Sequence, residues 1–416
     1  MAERCLVIGA GPAGIAAAVA ASGAGLAVTL VDAQPEPGGQ IWRGLWSGEA
    51  RGAARSLFAD LRRSSVTLRL ERRVIAAPHP GTLSVSGPSG PEQLPYDRLI
   101  LATGARERFL PFPGWTLPGV LGAGGLQVLA KDGLDVRGRR VVVGGTGPLL
   151  PAVAAHLRAQ GAQVLAVAEQ APARALRGLA PELLRRPRLL LQASGFLGLP
   201  LSLGTWVTRA EGEDRLQRVH LRTPSGPRVL EADLLAVGFG LLPNLEGAQL
   251  LGCACEGGRV VVDGAQRTSV ANVFAAGEPT GVGGVEKALA EGTVAGLAAA
   301  GRETDAGPFQ REAARGRAWA AALAAAFALR PELRALPEPD TILCRCEDVP
   351  VGAVQACVRG RDARLHARCG MGRCQGRTCG PAAEFLFGWA PGGPRLPLAP
   401  TTFADLVEVL TPPEPS

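Results

Sequence analysis

Lysine is almost missing from this 416-residue sequence: Lys131 and Lys287 are the only two, so the net charge of +7 rests on arginine. That bias reads as genome-wide codon usage rather than as a function. Aromatic residues make up 4% and no stretch interleaves them with basic ones, which argues against a nucleic-acid partner. Arginine-bearing stretches such as "LRRSSVTLRLERR" and "LRGLAPELLRRPR" read as solvated faces ahead of a docking site for an acidic partner. No apolar segment is long enough to span a bilayer, so the chain is not expected to be transmembrane. The start, "MAERCLVIGAGPAG", lacks the basic flank and cleavage site of a signal peptide, and a cytoplasmic location is expected. Histidine is scarce too: His79, His156, His220 and His366 are scattered without partners, so no nucleophile–base constellation is expected.

The 9 cysteines are odd in number and crowded late in the chain, which is no disulfide framework for a large secreted protein. Metal or redox chemistry is the better reading. With 47% hydrophobic and 19% charged residues, the chain can bury sizeable cores, and its length suggests two or three domains.

The chain repeats itself. "CLVIGAGPAGIAAAVAASGAGLAVTLVDAQ" (residues 5–34) and "VVVGGTGPLLPAVAAHLRAQGAQVLAVAEQ" (residues 141–170) each read as strand, glycine turn, alanine-rich helix and second strand. Both are βαβ openings of dinucleotide-binding domains. In the first copy Gly9 permits the tight turn, Gly11 lets the backbone approach a pyrophosphate, and Gly14 lets the helix pack close to its strand. The helix N-terminus offers free amides and a positive dipole to phosphates. Asp32 ends the second strand, where a carboxylate can accept ribose hydroxyls.

"LILATGARER" (99–108) and "TSVANVFAAGEPTGVGG" (268–284) resemble motifs of the two-dinucleotide flavoproteins, the family of glutathione and thioredoxin reductases. The resemblance implies FAD, with Pro12, Ala13, Val74, Ala102, Thr103, Gly104 and Gly277 among the contacts. It gives Glu278 the role of the acid that meets the ribityl chain, and points the helix starting near Gly284 at the flavin pyrimidine ring. "PGGQI" (37–41) resembles the loop beside the flavin, implying contacts from Gly39 and Gln40.

The second copy keeps Gly145 and Gly147, but Leu150 replaces the third glycine, so its helix is expected farther from its strand. Ala168 takes the place equivalent to Asp32, and Glu169 follows one residue late. A second nucleotide is expected there; NAD, NADP and a structural adenine nucleotide such as ATP remain open, since Arg174 and Arg177 could meet an extra phosphate. The expected class is α/β, a two-dinucleotide-domain flavoprotein with a small C-terminal helical domain. The expected boundaries are 1–112 and 236–300 for the FAD domain, 113–235 for the second nucleotide domain, 301–338 for a helical linker, 339–390 for the cysteine domain and 391–416 for a Pro-rich tail.

Cys344 and Cys346 in "LCRCEDVP", and Cys374 and Cys379 in "GMGRCQGRTCG", form two close pairs. Short spacing lets one loop present two thiolates to one centre; zinc would use the same thiolates. A redox disulfide is disfavoured, because the reductases' C-x-x-C or C-x-x-x-x-C lies within a nucleotide domain and neither copy has one. Cys5 reads as buried strand, Cys253 and Cys255 as loop, and Cys357 and Cys369 as packing, with Cys369 the single competitor for a ligand place.

"CRCEDV" with "GMGRCQGRTC" resembles the bacterioferritin-associated-ferredoxin domain, which implies a [2Fe-2S] cluster. Together with "ATGARERFLPFPGWTLPGVLGAGG" and "GVGGVEKALAEG", nearly the whole chain resembles alpha subunits of multi-subunit amine-oxidizing dehydrogenases: those of hydroxyproline, proline and opines, and hydrogen cyanide synthase. The resemblance implies an electron-transfer subunit beside a beta subunit of glycine or D-amino-acid oxidase type. It also implies, as a further partner, a small [2Fe-2S] ferredoxin-like subunit, and peripheral contact with the inner membrane face through the electron acceptor. The alternatives are a stand-alone NAD(P)H-dependent reductase and a structural nucleotide-binding subunit with a zinc site.

Overall fold

The computed structural model describes residues 2–184, 186, 195–390 and 392–410, with side chains of the last helix only to 407. Parts of the arginine stretch at 176–188 and of the tail at 391–416 therefore lie outside the described residues. The chain forms two compact units: Met1–Arg106, Leu242–Ala320 and Gly393–Ser416 make the first, and Glu107–Leu241 with Ala321–Gly392 the second.

In the first unit a five-stranded parallel sheet runs in the order Val273–Ala275, Arg98–Leu101, Arg4–Ile8, Ala27–Val31, Thr67–Arg69. Its strands are apolar on both faces, as a sheet covered on both sides requires: Val7, Leu30, Leu99 and Ile100 are all sealed from solvent. The helix Pro12–Gly23 follows the first strand, with proline inside its first turn, where no amide is needed. Its alanines form a low surface, and the helix Val285–Ala299 lies close against it. A three-stranded antiparallel sheet, Arg73–His79, Thr82–Gly87 and Gly90–Pro95, completes this unit. The C-terminal segment returns to it: the Leu398 amide donates to the Ile75 carbonyl at 2.8 Å, and the Ser86 hydroxyl to Asp405 at 2.7 Å.

In the second unit the parallel order is Leu201–Leu203, Gln163–Glu169, Arg140–Thr146, Leu234–Phe239, Val120–Gly122. The cysteine-bearing residues join the same core. Leu343, Val354, Ala382 and Trp389 pack with Phe112, Trp115, Val219 and Leu235, and the Trp115 indole donates to the Ile342 carbonyl at 2.6 Å. This lobe consists of a short hairpin, Ile342–Cys344 with Val349–Pro350, and the helices Gly360–Ala367 and Cys379–Phe387. The segment between is the helix Gly307–Ala326 and a single turn at Pro331–Ala335. Among the described residues no helix is long and apolar enough to cross a membrane.

The close approach of the two alanine-rich helices depends on glycine. A Cβ on Gly292 would collide with the Ala13 carbonyl, and one on Gly296 with that of Ala17. Gly292→Val is therefore expected to cost about 1–3 kcal/mol or more, as overpacking does. Gly23→Ala, whose added carbon meets nothing within 4 Å, should stay within about 0.5 kcal/mol of the parent. Urea titrations of the two variants check both expectations.

Candidate functional site

The first glycine turn is built by exclusion of side chains. Gly9 sits at φ 105° against the Ala102 backbone, and a Cβ on Gly14 would strike the Gly9 carbonyl. Helix and strand are thus as close as two backbones allow, which aims the amides of the first helical turn over the sheet's carboxyl edge. Gly11 caps the helix at φ −78°, and an added Cβ there meets nothing within 4 Å. The Gly38 amide donates to the Ala10 carbonyl at 2.7 Å, and a Cβ on Gly39 would stand 3.0 Å from the Gly11 Cα. Asp32 takes the Ala10 amide at 2.6 Å and the Gln34 amide at 2.8 Å. Burial pushes its carboxyl upward while the amides of Ala10, Gln34 and Ala33 pull it back.

Gly277 closes the other side, where its Cβ would lie 2.7 Å from that of Ala13. The structure thus gathers Gly9, Gly11, Pro12, Ala13, Gly14, Asp32, Gly39, Ala102 and Gly277. Gln40, next to Gly39, is exposed; Val74 pairs with Val85 in the antiparallel sheet and packs in the cluster around Leu6 and Leu99. Thr103 spends its hydroxyl on the Asn244 carbonyl at 2.7 Å, Asn244 returns its side-chain amide to the Thr103 carbonyl at 2.9 Å, and its backbone amide meets the Gly104 carbonyl at 3.0 Å. Asn244 carried no sequence signal beyond a Gly- and Pro-rich joint.

Glu278 leads into the helix Val285–Ala299. Its Oε1 accepts from the amides of Gly284 at 3.1 Å and Gly283 at 3.4 Å. Its Oε2 is buried and has no hydrogen-bond partner among the described residues, and burial raises its carboxyl above the usual range. An orphaned acceptor of this kind costs free energy unless a ligand donor meets it. Behind the turn Lys287, 1% exposed, donates to the Gly277 carbonyl and the Thr280 hydroxyl, each at 2.8 Å, and to Glu291 at 2.7 Å. Arg317 reaches the other Glu291 oxygen at 3.3 Å. A buried pair so fully bonded tethers the turn carrying Glu278 to the helix that follows.

The second glycine turn corrects the sequence reading of Ala168 and Glu169. In the first copy Ile8 pairs with Val31, so Asp32 comes level with Gly9. In the second, Val141 pairs with Val164 and Val142 with Ala166, and Gly145 then pairs with Glu169. Leu165 is absorbed as a bulge, and Glu169, rather than Ala168, holds the place of Asp32. Glu169 is buried, taking the Gly147 amide, the Ala171 amide and the Thr146 hydroxyl, each at 2.8 Å. Burial pushes its carboxyl up to about 7 against those three donors. Leu150, fully buried, is seated over Gly238, where a Cβ would meet its Cδ2 at 3.5 Å. Arg174 and Arg177 are exposed on the short helix Ala173–Arg177. Glu107 accepts from the amides of Gly124 at 2.8 Å and Gly125 at 3.1 Å, at the start of the helix Ala123–Lys131.

The cysteine lobe brings thiols of the two motifs together. The sulfurs of Cys344, Cys379 and Cys369, the last read from the sequence as packing, lie within 4.8 Å of one another and are all buried. Cys346 is exposed and Cys374 half-buried. Three buried thiols at this spacing could serve as ligands to one metal ion.

A chain with two βαβ openings and a glycine turn open above Gly11 has a thioredoxin reductase-like fold, and its family and relatives make it an oxidoreductase. Residues 3–292 match the model described as pyridine nucleotide-disulphide oxidoreductase, and the chain belongs to that family. It is 32% identical to hydrogen cyanide synthase subunit HcnB of Pseudomonas protegens, over 96% of each chain. It is 34% identical to an opine oxidase subunit of Rhizobium meliloti, over 90% of each. Among solved structures, L-proline dehydrogenase from P. horikoshii superposes over 99% of this chain and 80% of its own, with TM-score 0.71 and 19% identity. Thioredoxin reductase from T. acidophilum does so over 73% of this chain and 99% of its own, with TM-score 0.56 and 21% identity.

The first two glycines of the first turn should respond differently to substitution. Gly9→Val, strained at positive φ and pressed into the Ala102 backbone, is expected to abolish folding. Gly11→Val has ordinary backbone angles and open space, so it should fold and lose the bound dinucleotide. Circular dichroism together with nucleotide released on denaturation separates the two outcomes.

Proposed function

We propose that the chain is the FAD- and [2Fe-2S]-containing electron-transfer subunit of a hetero-oligomeric dehydrogenase. The amino acid, imino acid or opine is oxidised at a separate beta subunit of glycine or D-amino-acid oxidase type. The observation that carries this reading is the meeting of Cys344 and Cys379, one from each cysteine motif, with their sulfurs within 4.8 Å of each other and buried, in a chain that also holds an open dinucleotide turn. FAD supplies acceptance of an electron pair and its release one electron at a time, and a [2Fe-2S] centre takes single electrons.

The chain's own residues have defined parts in it. Gly9, Gly11, Pro12, Ala13 and Gly14, with Gly39 across the turn, admit the FAD pyrophosphate, and Asp32 stands where the adenosine ribose would meet it. Glu278 offers its unpartnered Oε2 to a ribityl hydroxyl, while Lys287 and Glu291 keep that turn in place. Cys344, Cys346, Cys374 and Cys379 hold the cluster, two thiolates to each iron. The second unit takes an adenine nucleotide, NAD(P) or ATP, with Glu169 in the ribose place. The subunit role is supported by the relatives' names, which describe subunits of a synthase and of an oxidase, and by the alignment over nine-tenths or more of each. A small ferredoxin-like [2Fe-2S] subunit is the further partner this reading allows, and the relay operates in the cytoplasm.

The anaerobically purified chain is expected to be yellow and to contain two irons and two acid-labile sulfides. Serine at any of the four cysteines should remove the cluster's absorption and its paramagnetic signal in the reduced state, leaving FAD bound. One zinc with no sulfide would instead establish the structural alternative. The isolated chain should reduce slowly with NADH or NADPH in stopped flow; rapid flavin bleaching by either would make it a stand-alone reductase. Full amine-dependent dye reduction is expected only when the beta subunit is present.

A further inference from the structure

A fifth thiol lies beside two of the four cysteines assigned to the cluster. The fifth, Cys369, follows the helix Gly360–Ala367. Its amide donates to the Ala363 carbonyl at 3.2 Å, and Arg368 before it takes a left-handed turn at φ 60°. That turn drives the thiol inward: Cys369 is 6% exposed, beside Cys344 at 1% and Cys379 at 3%. The three sulfurs lie within 4.8 Å of one another, which places the Cys369 thiol beside the Cys344 sulfur. The next residue already donates to that sulfur, since the Gly370 amide meets it at 3.4 Å. Cys346, by contrast, is exposed.

We propose that Cys369 is a positioning residue for the redox centre: it donates its S–H to the thiolate of Cys344 and thereby raises the reduction potential of the cluster that Cys344 and Cys379 help to hold. This inference rests on the [2Fe-2S] reading of the four cysteines. A hydrogen bond to a ligand sulfur withdraws negative charge from it and favours the more negative, reduced cluster. In a buried, low-dielectric place the effect is larger than at the surface. Removing the donor should therefore lower the potential and leave ligation intact. The half-buried Cys357, outside the trio, is the natural control.

The test is a spectroelectrochemical titration of wild-type, C369A, C369S and C357A chains, with iron, sulfide and FAD measured on each. C369A is expected to keep the iron, sulfide and FAD content of the wild type and to show a more negative cluster midpoint. C369S, which retains a donor, should shift less, and C357A not at all. An unshifted midpoint in C369A overturns the proposal. So does loss of the cluster from C369A with FAD retained, since Cys369 would then be a ligand. Should C369A fail to fold, the wild type and C369S still decide. A proton coupling in the reduced wild-type cluster that exchanges in deuterium oxide and changes in C369S supports the bond, and its persistence unchanged refutes it. Failure of the underlying reading is seen separately, in wild-type protein that carries zinc and no sulfide.

Discussion

The structure of the first unit depends on contacts between backbones that leave no room for a Cβ. Gly14 rests on the Gly9 carbonyl, Gly9 on Ala102, and Gly292 and Gly296 on the carbonyls of Ala13 and Ala17. These contacts clamp the helix Pro12–Gly23 between sheet and second helix, so its N-terminus is held at the carboxyl edge of the sheet. Dispersion between such surfaces is weak per atom and large in sum. The small residues cost little side-chain entropy on burial.

Around that clamp, buried carboxylates do most of the electrostatic work. Asp32, Glu107 and Glu169 each lose solvation, and each recovers it from backbone amides at a turn or helix start. Both oxygens of each are occupied in this way. Glu278 differs, with one oxygen spent on the amides of Gly283 and Gly284 and the other left over. Glu278 thus keeps one whole oxygen for a donor from outside, whereas Asp32 and Glu169 would meet a ribose through oxygens that each already hold an amide.

Much of the first turn was legible because its chemistry is local. Spacing puts Gly9 at the tight turn and Gly14 at the helix–strand contact, where the structure has them, and Asp32 follows at the end of the next strand. The second copy was legible only in outline. Counting residues placed Ala168 opposite Asp32, but the bulge at Leu165 shifts the register by one and brings Glu169 there. Leu150, in the place of the third glycine, is fully buried and lies near Gly238 on a strand some ninety residues on.

The sequence by itself determined the two βαβ openings, the doubled nucleotide architecture and the presence of two closely spaced cysteine pairs, because each depends on residues a few positions apart. Only tertiary structure decided which thiols face one another, that Cys369 joins Cys344 and Cys379, and that Asn244 latches Thr103 from 141 positions away. It also decided that Lys287, one of two lysines, is sealed behind the Glu278 turn. Such choices depend on the volume and polarity that distant segments leave to one another, which spacing along a chain does not encode.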